Sequence, residues 1–216
     1  MEPRTIQIDG IPTVIRAMGE DYVVGEDPSE AGVEYAIKCW YPGKADRPTA
    51  AMAAYFRKIM KAYGTSAITA WQDKALVGFL PFMPLNCGMP EMVFCLYTSD
   101  QTPLERVKAA TPIPFDQLSP KVLKVQCASI AHNRNMYRKG LGSTMANYLI
   151  DWARESGWER IEGWTFSDSQ FFDAYKWLPS IHFWEKAGFA EKQRRIEDMD
   201  ELGKNILMSD FEVKLT

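Results

Sequence analysis

Residues 121–131 read KVLKVQCASIA and residues 159–166 read ERIEGWTF. Both are β-prone runs, and the first is nearly continuous in apolar character, as in a strand buried on both faces. Between them, Leu141, Met145, Tyr148, Leu149 and Trp152 recur at helical spacing over about 141–156, and Gly157 suits the end of that helix. Strand, helix, strand in this order predicts a βαβ unit. A tight turn cannot join parallel strands, so the helix must cross one face of the sheet. This constrains the fold to the α/β class with a parallel strand pair near its centre.

The flanking sequence supplies further elements. Residues 5–24 alternate loosely and predict one or two short strands; residues 32–41 fit either strand or helix. ADRPTAAMAAYFRKIMKAYG, residues 45–64, predicts a helix. Asp46 suits its cap, Pro48 its first turn and Gly64 its close, and Met52, Tyr55, Ile59 and Tyr63 form one apolar stripe. SAITAWQDKALVGFLPF predicts a hairpin turning at Gln72-Asp73-Lys74. Residues 84–120 carry Pro84, Pro90, Pro103, Pro112, Pro114 and Pro120, with room for one strand, MVFCLYT, and a short helix, TPLERVKAA. A stretch of this kind reads as a covering or functional insertion within a single domain spanning 1–216. Downstream, LPSIHFWEKAGF predicts a short helix, and AEKQRRIE and ILMSDFEVKL the last two strands.

Composition narrows the partners. The charge of 25 basic against 28 acidic residues, net −3, comes with no dominant basic cluster, which argues against non-specific nucleic-acid binding. Cys39, Cys87, Cys95 and Cys127 form no C-x-x-C pair, and only His132 and His182 could join them, so neither a disulfide scaffold nor a metal site is expected. Four reduced thiols suit the cytoplasm. The sequence MEPRTIQIDGIPTV does not read as a signal peptide, and no apolar run has the roughly 20 residues of a membrane span.

The loop leading into the crossover helix reads YRKGLGS, residues 137–143. Glycines at a helix mouth expose unpaired backbone N–H groups, and the helix dipole adds partial positive charge, which suits phosphate. The P-loop pattern is absent. The dinucleotide pattern G-x-G-x-x-G needs glycine at Met145. A bare G-x-G is equally a tight turn, so the residues alone leave both readings open.

YRKGLG together with FWEKAGF at 183–189 resembles the GCN5-related N-acetyltransferase (GNAT) superfamily. That family carries [Q/R]-x-x-G-x-[G/A] between its fourth strand and third helix, and a segment like FYEKxGF on a later helix. The resemblance covers about 120–190, and LVGF in the hairpin looks like the family's second and third strands. It implies a central mixed, mostly antiparallel sheet with a splayed parallel pair, flanked by helices. It implies acetyl-CoA as co-substrate, without a metal. The pyrophosphate is expected on Tyr137, Arg138, Lys139, Gly140, Leu141, Gly142 and Ser143, with Ser129 and Ile130 along the pantetheine arm. Acetyl transfer to a small-molecule or peptide amine is implied, with polarisation of the thioester carbonyl by strand amides. Dimerisation to a homodimer stays open.

This sequence departs from the pattern at Tyr137, which stands where Gln or Arg is usual, and at Trp184, which stands where a tyrosine acid is usual; Trp177 replaces a frequent Asn. Trp184 then packs against the cofactor arm or the core. Glu162, on the strand after the helix, is a candidate base acting through water, against the alternative of a solvated carboxylate. Tyr175 is a candidate acid, against the alternative of an ordinary surface tyrosine. His182, Glu185 and Lys186 read as a solvated helix face. Aromatic density from Trp164 to Trp177 suits core packing and also an apolar wall beside the acceptor. A non-catalytic CoA-binding sensor of the same fold is the alternative function. An unrelated α/β protein holding another phosphorylated ligand is the third.

Overall fold

The computed structural model describes residues 1–19, 49–73, 75–91, 104–125, 128–130, 138–167, 179–199 and 204–215. Its strands are β1 (Arg4–Ile8), β2 (Ile11–Ala17), β3 (Ala67–Gln72), β4 (Ala75–Pro84), β5 (Val122–Val125), β6 (Ser129–Ile130), β7 (Arg160–Phe166), β8 (Ala190–Met199) and β9 (Lys204–Lys214). Its helices are α1 (Thr49–Tyr63), α2 (Leu104–Ala109), α3 (Leu141–Glu155) and α4 (Ile181–Lys186). The strands form one sheet in the order β1-β2-β3-β4-β5-β7-β9-β8, and β6 pairs with β4. All these pairings are antiparallel except β5 with β7. The parallel pair needs a crossover, and α3 is that crossover.

The two faces of the sheet carry different helices. On one, Phe82 of β4 meets Trp152 of α3 at a ring separation of 5.2 Å, and Phe211 of β9 stacks on Trp184 of α4 at 4.5 Å. On the other, Phe79 meets Phe56 of α1 at 6.2 Å, and the Tyr55 hydroxyl reaches the Met83 sulfur at 3.6 Å. Because successive side chains of a strand alternate between faces, β4 serves both helix layers. That alternation makes it almost wholly buried.

The predicted run at 121–131 is two strands rather than one. Phe82 stands opposite Val125, but Phe79 stands opposite Ser129, so three steps along β4 match four along its partner. The register against β4 therefore differs by one residue between β5 and β6. The hairpin turns at Asp73, φ 51°, within the predicted turn, and the other corrections concern boundaries: β8 and β9 each run longer than the predicted segments. Residues 32–41, the Asp46 cap and the MVFCLYT strand lie outside the described residues.

β1 runs beside α3 in the opposite direction. The Met1 ammonium meets Glu155 at 3.6 Å, the Tyr148 hydroxyl donates to the Glu2 carbonyl at 3.2 Å, and Arg4 bonds Asp151 at 2.8 Å. At the far end of the strand, Asp9 pairs with Lys139, just before α3 begins. Asp9 and Gly10 both have positive φ, 54° and 76°, which closes the β1–β2 hairpin in two residues.

Candidate functional site

The parallel ladder of β5 and β7 runs from Val122–Arg160 to Val125–Gly163. Beyond it the strands part: β6 pairs with β4, while Trp164, Thr165 and Phe166 pair with β9. The edge of β6 that faces away from β4 therefore borders a gap, and its backbone groups on that side have no strand partner among the described residues. Ser129 and Ile130 both lie on this edge.

At the C-terminal side of the gap, α3 opens with Gly140 at its N-cap. Gly140 has φ 85° and Arg138 φ 64°, so the turn is left-handed at both positions. A Cβ on Gly140 would meet nothing within 4 Å, so the glycine serves the backbone conformation. No side chain caps the helix. Thr144 N–H bonds the Gly140 carbonyl at 3.0 Å, while the amides of Leu141, Gly142 and Ser143 have no acceptor among the described residues. Arg138, Lys139 and Gly140 are exposed, and Leu141 and Gly142 are buried. Three unpaired amides, two adjacent cations and the positive end of a fifteen-residue helix fit a diphosphate.

Trp184 is 1% exposed. Its ring stacks on Phe211 and meets Phe183 and Phe189 edge-on at 5.0 Å each, so it belongs to an aromatic cluster of the core. Phe211 in turn lies over Gly163, where a Cβ would come within 2.6 Å of its ring. The cluster thus backs the point where β5 and β7 part. The indole Nε1 of Trp184 is buried with no hydrogen-bond partner among the described residues.

Glu162 precedes Gly163 and so projects from the opposite face, the one that carries α1. It lines a groove of about 200 Å³ with Lys124, Trp164, Lys192, Gln193, Arg195 and Asp210. Most charges there are matched. Asp210 accepts from Gln193 at 2.7 Å and from Arg195 at 3.1 Å; Lys124 pairs with Glu91 at 2.6 Å; Lys192 pairs with Glu212 at 3.5 Å. Among the described residues, Glu162 has only Arg160, at 3.3 Å. It is therefore the carboxylate of the groove with the loosest partner. It stands opposite Lys124 in the parallel ladder, one step before the strands part.

Of the residues singled out in sequence, Arg138 to Ser143 come together at the head of α3, and Ser129 and Ile130 flank the gap. Glu162 stands across the sheet from them, and Tyr137 and Tyr175 lie outside the described residues. His182 is exposed and pairs with Glu185 at 2.9 Å, as a solvated helix face should. Cys87 is buried; Cys39, Cys95 and Cys127 lie outside the described residues. Asp9, Lys124 and Asp210 were not anticipated. The Asp-Gly pair at 9–10 is a sequence signal that could have marked a tight hairpin, though not its contact with Lys139.

A mixed sheet whose one parallel pair parts beyond Val125 and Gly163, with a glycine turn at the start of the crossover helix, defines the class as α/β. The sequence matches the family model described as Acetyltransferase (GNAT) family over residues 31–189, and the chain belongs to that family. Among solved structures it is similar to an acetyltransferase of the GNAT family from Streptococcus pneumoniae. The identity is 13%, 94% of this chain and 99% of that one are covered, and the TM-score is 0.58. It is also similar to yncA, a putative acetyltransferase from Salmonella typhimurium solved with its cofactor acetyl-CoA, at 13% identity, 94% coverage of both chains and a TM-score of 0.55. A third is the ribosomal-protein-alanine N-acetyltransferase from Brucella melitensis, at 14% identity, 93% and 99% coverage and a TM-score of 0.55. At these identities the likeness is one of fold. No curated protein matches the sequence. Among the described residues, no helix is long and apolar enough to cross a membrane, and no cluster of three or more His, Cys, Asp or Glu could hold a metal ion.

Proposed function

We propose that the protein is an N-acetyltransferase of a single domain that moves the acetyl group of acetyl-CoA directly to an amine of a small molecule or peptide. The observation that carries this reading is the conjunction of the uncapped α3 terminus with the gap between β6 and β7. Acetyl-CoA supplies the thioester: the amine nitrogen bonds its acyl carbon, the C–S bond breaks, and CoA leaves as the thiolate.

The chain's own groups perform the rest. Amides of Leu141, Gly142 and Ser143 hold the diphosphate, with Arg138 and Lys139 beside them. The free edge of β6 at Ser129 and Ile130 aligns the pantetheine arm and donates to the thioester carbonyl oxygen, so charge growing there is met by fixed N–H dipoles. Glu162 accepts the amine proton through water from the opposite face. Tyr175 donates to the leaving thiolate. Trp184 closes the wall behind the site; an indole N–H is not an acid, so protonation falls to another residue.

Thiol release with a panel of primary amines tests this reading. Glu162→Gln should lower kcat on the preferred amine by about 100-fold, within the usual range for removing a general base, while leaving acetyl-CoA affinity in place. A full rate in Glu162→Gln would remove Glu162 from the chemistry. A second reading, a non-catalytic CoA-binding module, is favoured by one observation: Trp184 occupies the place of the family's usual acid and is locked in the core. Thiol release no faster with any amine than with water would select it.

A further inference from the structure

β8 is an edge strand. It pairs with β9 on one side and has no strand partner on the other among the described residues. Such an edge presents unpaired backbone groups to another chain unless its side chains discourage pairing. Here the side chains encourage one particular partner. At the middle of the strand Ile196 is 69% exposed, the highest value among the exposed large hydrophobic residues. It stands opposite Leu207 of β9, itself 37% exposed, so the two form an apolar pair on one face.

The charges around Ile196 are antisymmetric. The sequence reads Arg194, Arg195, Ile196, Glu197, Asp198. One step away, arginine on one side answers glutamate on the other; two steps away, arginine answers aspartate. In sequence the pattern extends to Lys192 and Asp200, four residues either side. An antiparallel copy of this strand, turned about a two-fold axis at Ile196, sets Arg195 opposite Glu197 and Arg194 opposite Asp198.

The register is narrowly specified. Side chains directly opposite must share a face, so a symmetric pairing can only centre on a residue and shifts in whole-residue steps. Centring on Arg195 would set two arginines face to face, and centring on Glu197 two glutamates. Among centres from Arg194 to Asp198 only Ile196 avoids like charges on the axis, and it also joins Leu207, Ile196 and their two counterparts into one apolar row. On the other face, Arg195 already pairs with Glu197 of its own strand and with Asp210 at 3.1 Å. A second copy would complete a four-charge cluster there, beside the groove that Arg195 lines.

We propose that two copies of this chain associate through antiparallel β8–β8 pairing centred on Ile196, giving a dimer with one continuous sheet. Closed two-fold pairing of this kind uses the same patch twice and leaves no β8 edge free for further growth. This inference is independent of the acetyl-transfer reading.

Sedimentation velocity on the full chain, from micromolar to sub-millimolar concentration, tests it. The wild-type chain should sediment as a dimer. Arg194→Glu/Arg195→Glu and Glu197→Lys/Asp198→Lys each make the edge uniform in charge, and each should sediment as a monomer. Mixed in equal amounts they are complementary, and the dimer should return. Ile196→Glu, at a side chain with little contact in its own chain, should give a folded monomer. A monomeric wild-type chain, a dimer that survives Ile196→Glu, or half-reversed variants that each keep the wild-type thermal transition yet stay apart when mixed, would overturn the proposal.

Discussion

Gly163 carries an unusual load for one residue. It closes the parallel ladder opposite Val125, and its missing side chain lets the Phe211 ring rest on the strand. A methyl group there would meet that ring at 2.6 Å and the Val125 carbonyl at 2.7 Å, and neither is a flexible chain end. Gly163→Ala should therefore destabilise the fold by about 1–3 kcal/mol, the usual cost of overpacking, read by denaturant titration. Trp184, stacked on the same Phe211, should behave in the opposite sense. Trp184→Phe keeps an aromatic ring and removes an N–H that has no partner among the described residues, whereas Trp184→Ala opens a cavity and should cost about 3–5 kcal/mol. Glu191 is a third such residue. Hydrogen bonds from Arg194 and from Ser209 hold its carboxyl below the usual range. A depressed folded-state value means stability that is present above the ordinary carboxylate range and is lost as pH falls through the lowered value. Thermal unfolding should thus show a steeper acid loss in the wild type than in Glu191→Gln, and identical acid profiles would remove Glu191 from the account.

At the scale of elements, the β1–β2 hairpin reaches the glycine loop through Asp9 and Lys139. A carboxylate beside a phosphate cradle holds a cation that an anionic ligand would otherwise use. Asp9→Asn should tighten acetyl-CoA binding by up to about fivefold, since exposed ion pairs are worth roughly 0.2–1 kcal/mol. The gain should fade as salt is raised, because screening weakens both the pair and the phosphate contact. Calorimetric titration at low and high salt reads both effects, and weaker binding in Asp9→Asn would reverse the assigned role. The difference between what could and could not be read from sequence follows the same division. α1 and α3 were legible because their apolar stripes are local, three or four residues apart. The change of register between β5 and β6 was not, because it exists only relative to β4, over 40 residues away in sequence. The Asp9–Lys139 contact spans 130 residues and leaves no periodic trace. For Trp184 the sequence left two places, the cofactor arm or the core, and periodicity could not choose between them; the structure stacks it in the core.

For the whole molecule, the sheet divides the labour. The face with α3 and α4 presents the uncapped helix terminus, the other presents the groove with Glu162, and the gap between β6 and β7 joins them. Donor and acceptor can then approach from opposite faces without competing for space. All of this depends on acetyl-CoA binding at the head of α3. Thermal unfolding across an acetyl-CoA titration tests that dependence most directly, using the wild type and Gly142→Asp, whose carboxylate would enter the buried start of the helix. A ligand at about 100 times its dissociation constant should stabilise the wild type by about 2.7 kcal/mol, visible as a raised Tm that grows with concentration. Gly142→Asp, if lower in ligand-free Tm but still folded, should show no such rise. An unmoved wild-type Tm, or an equal rise in folded Gly142→Asp, would contradict the placement of the cofactor.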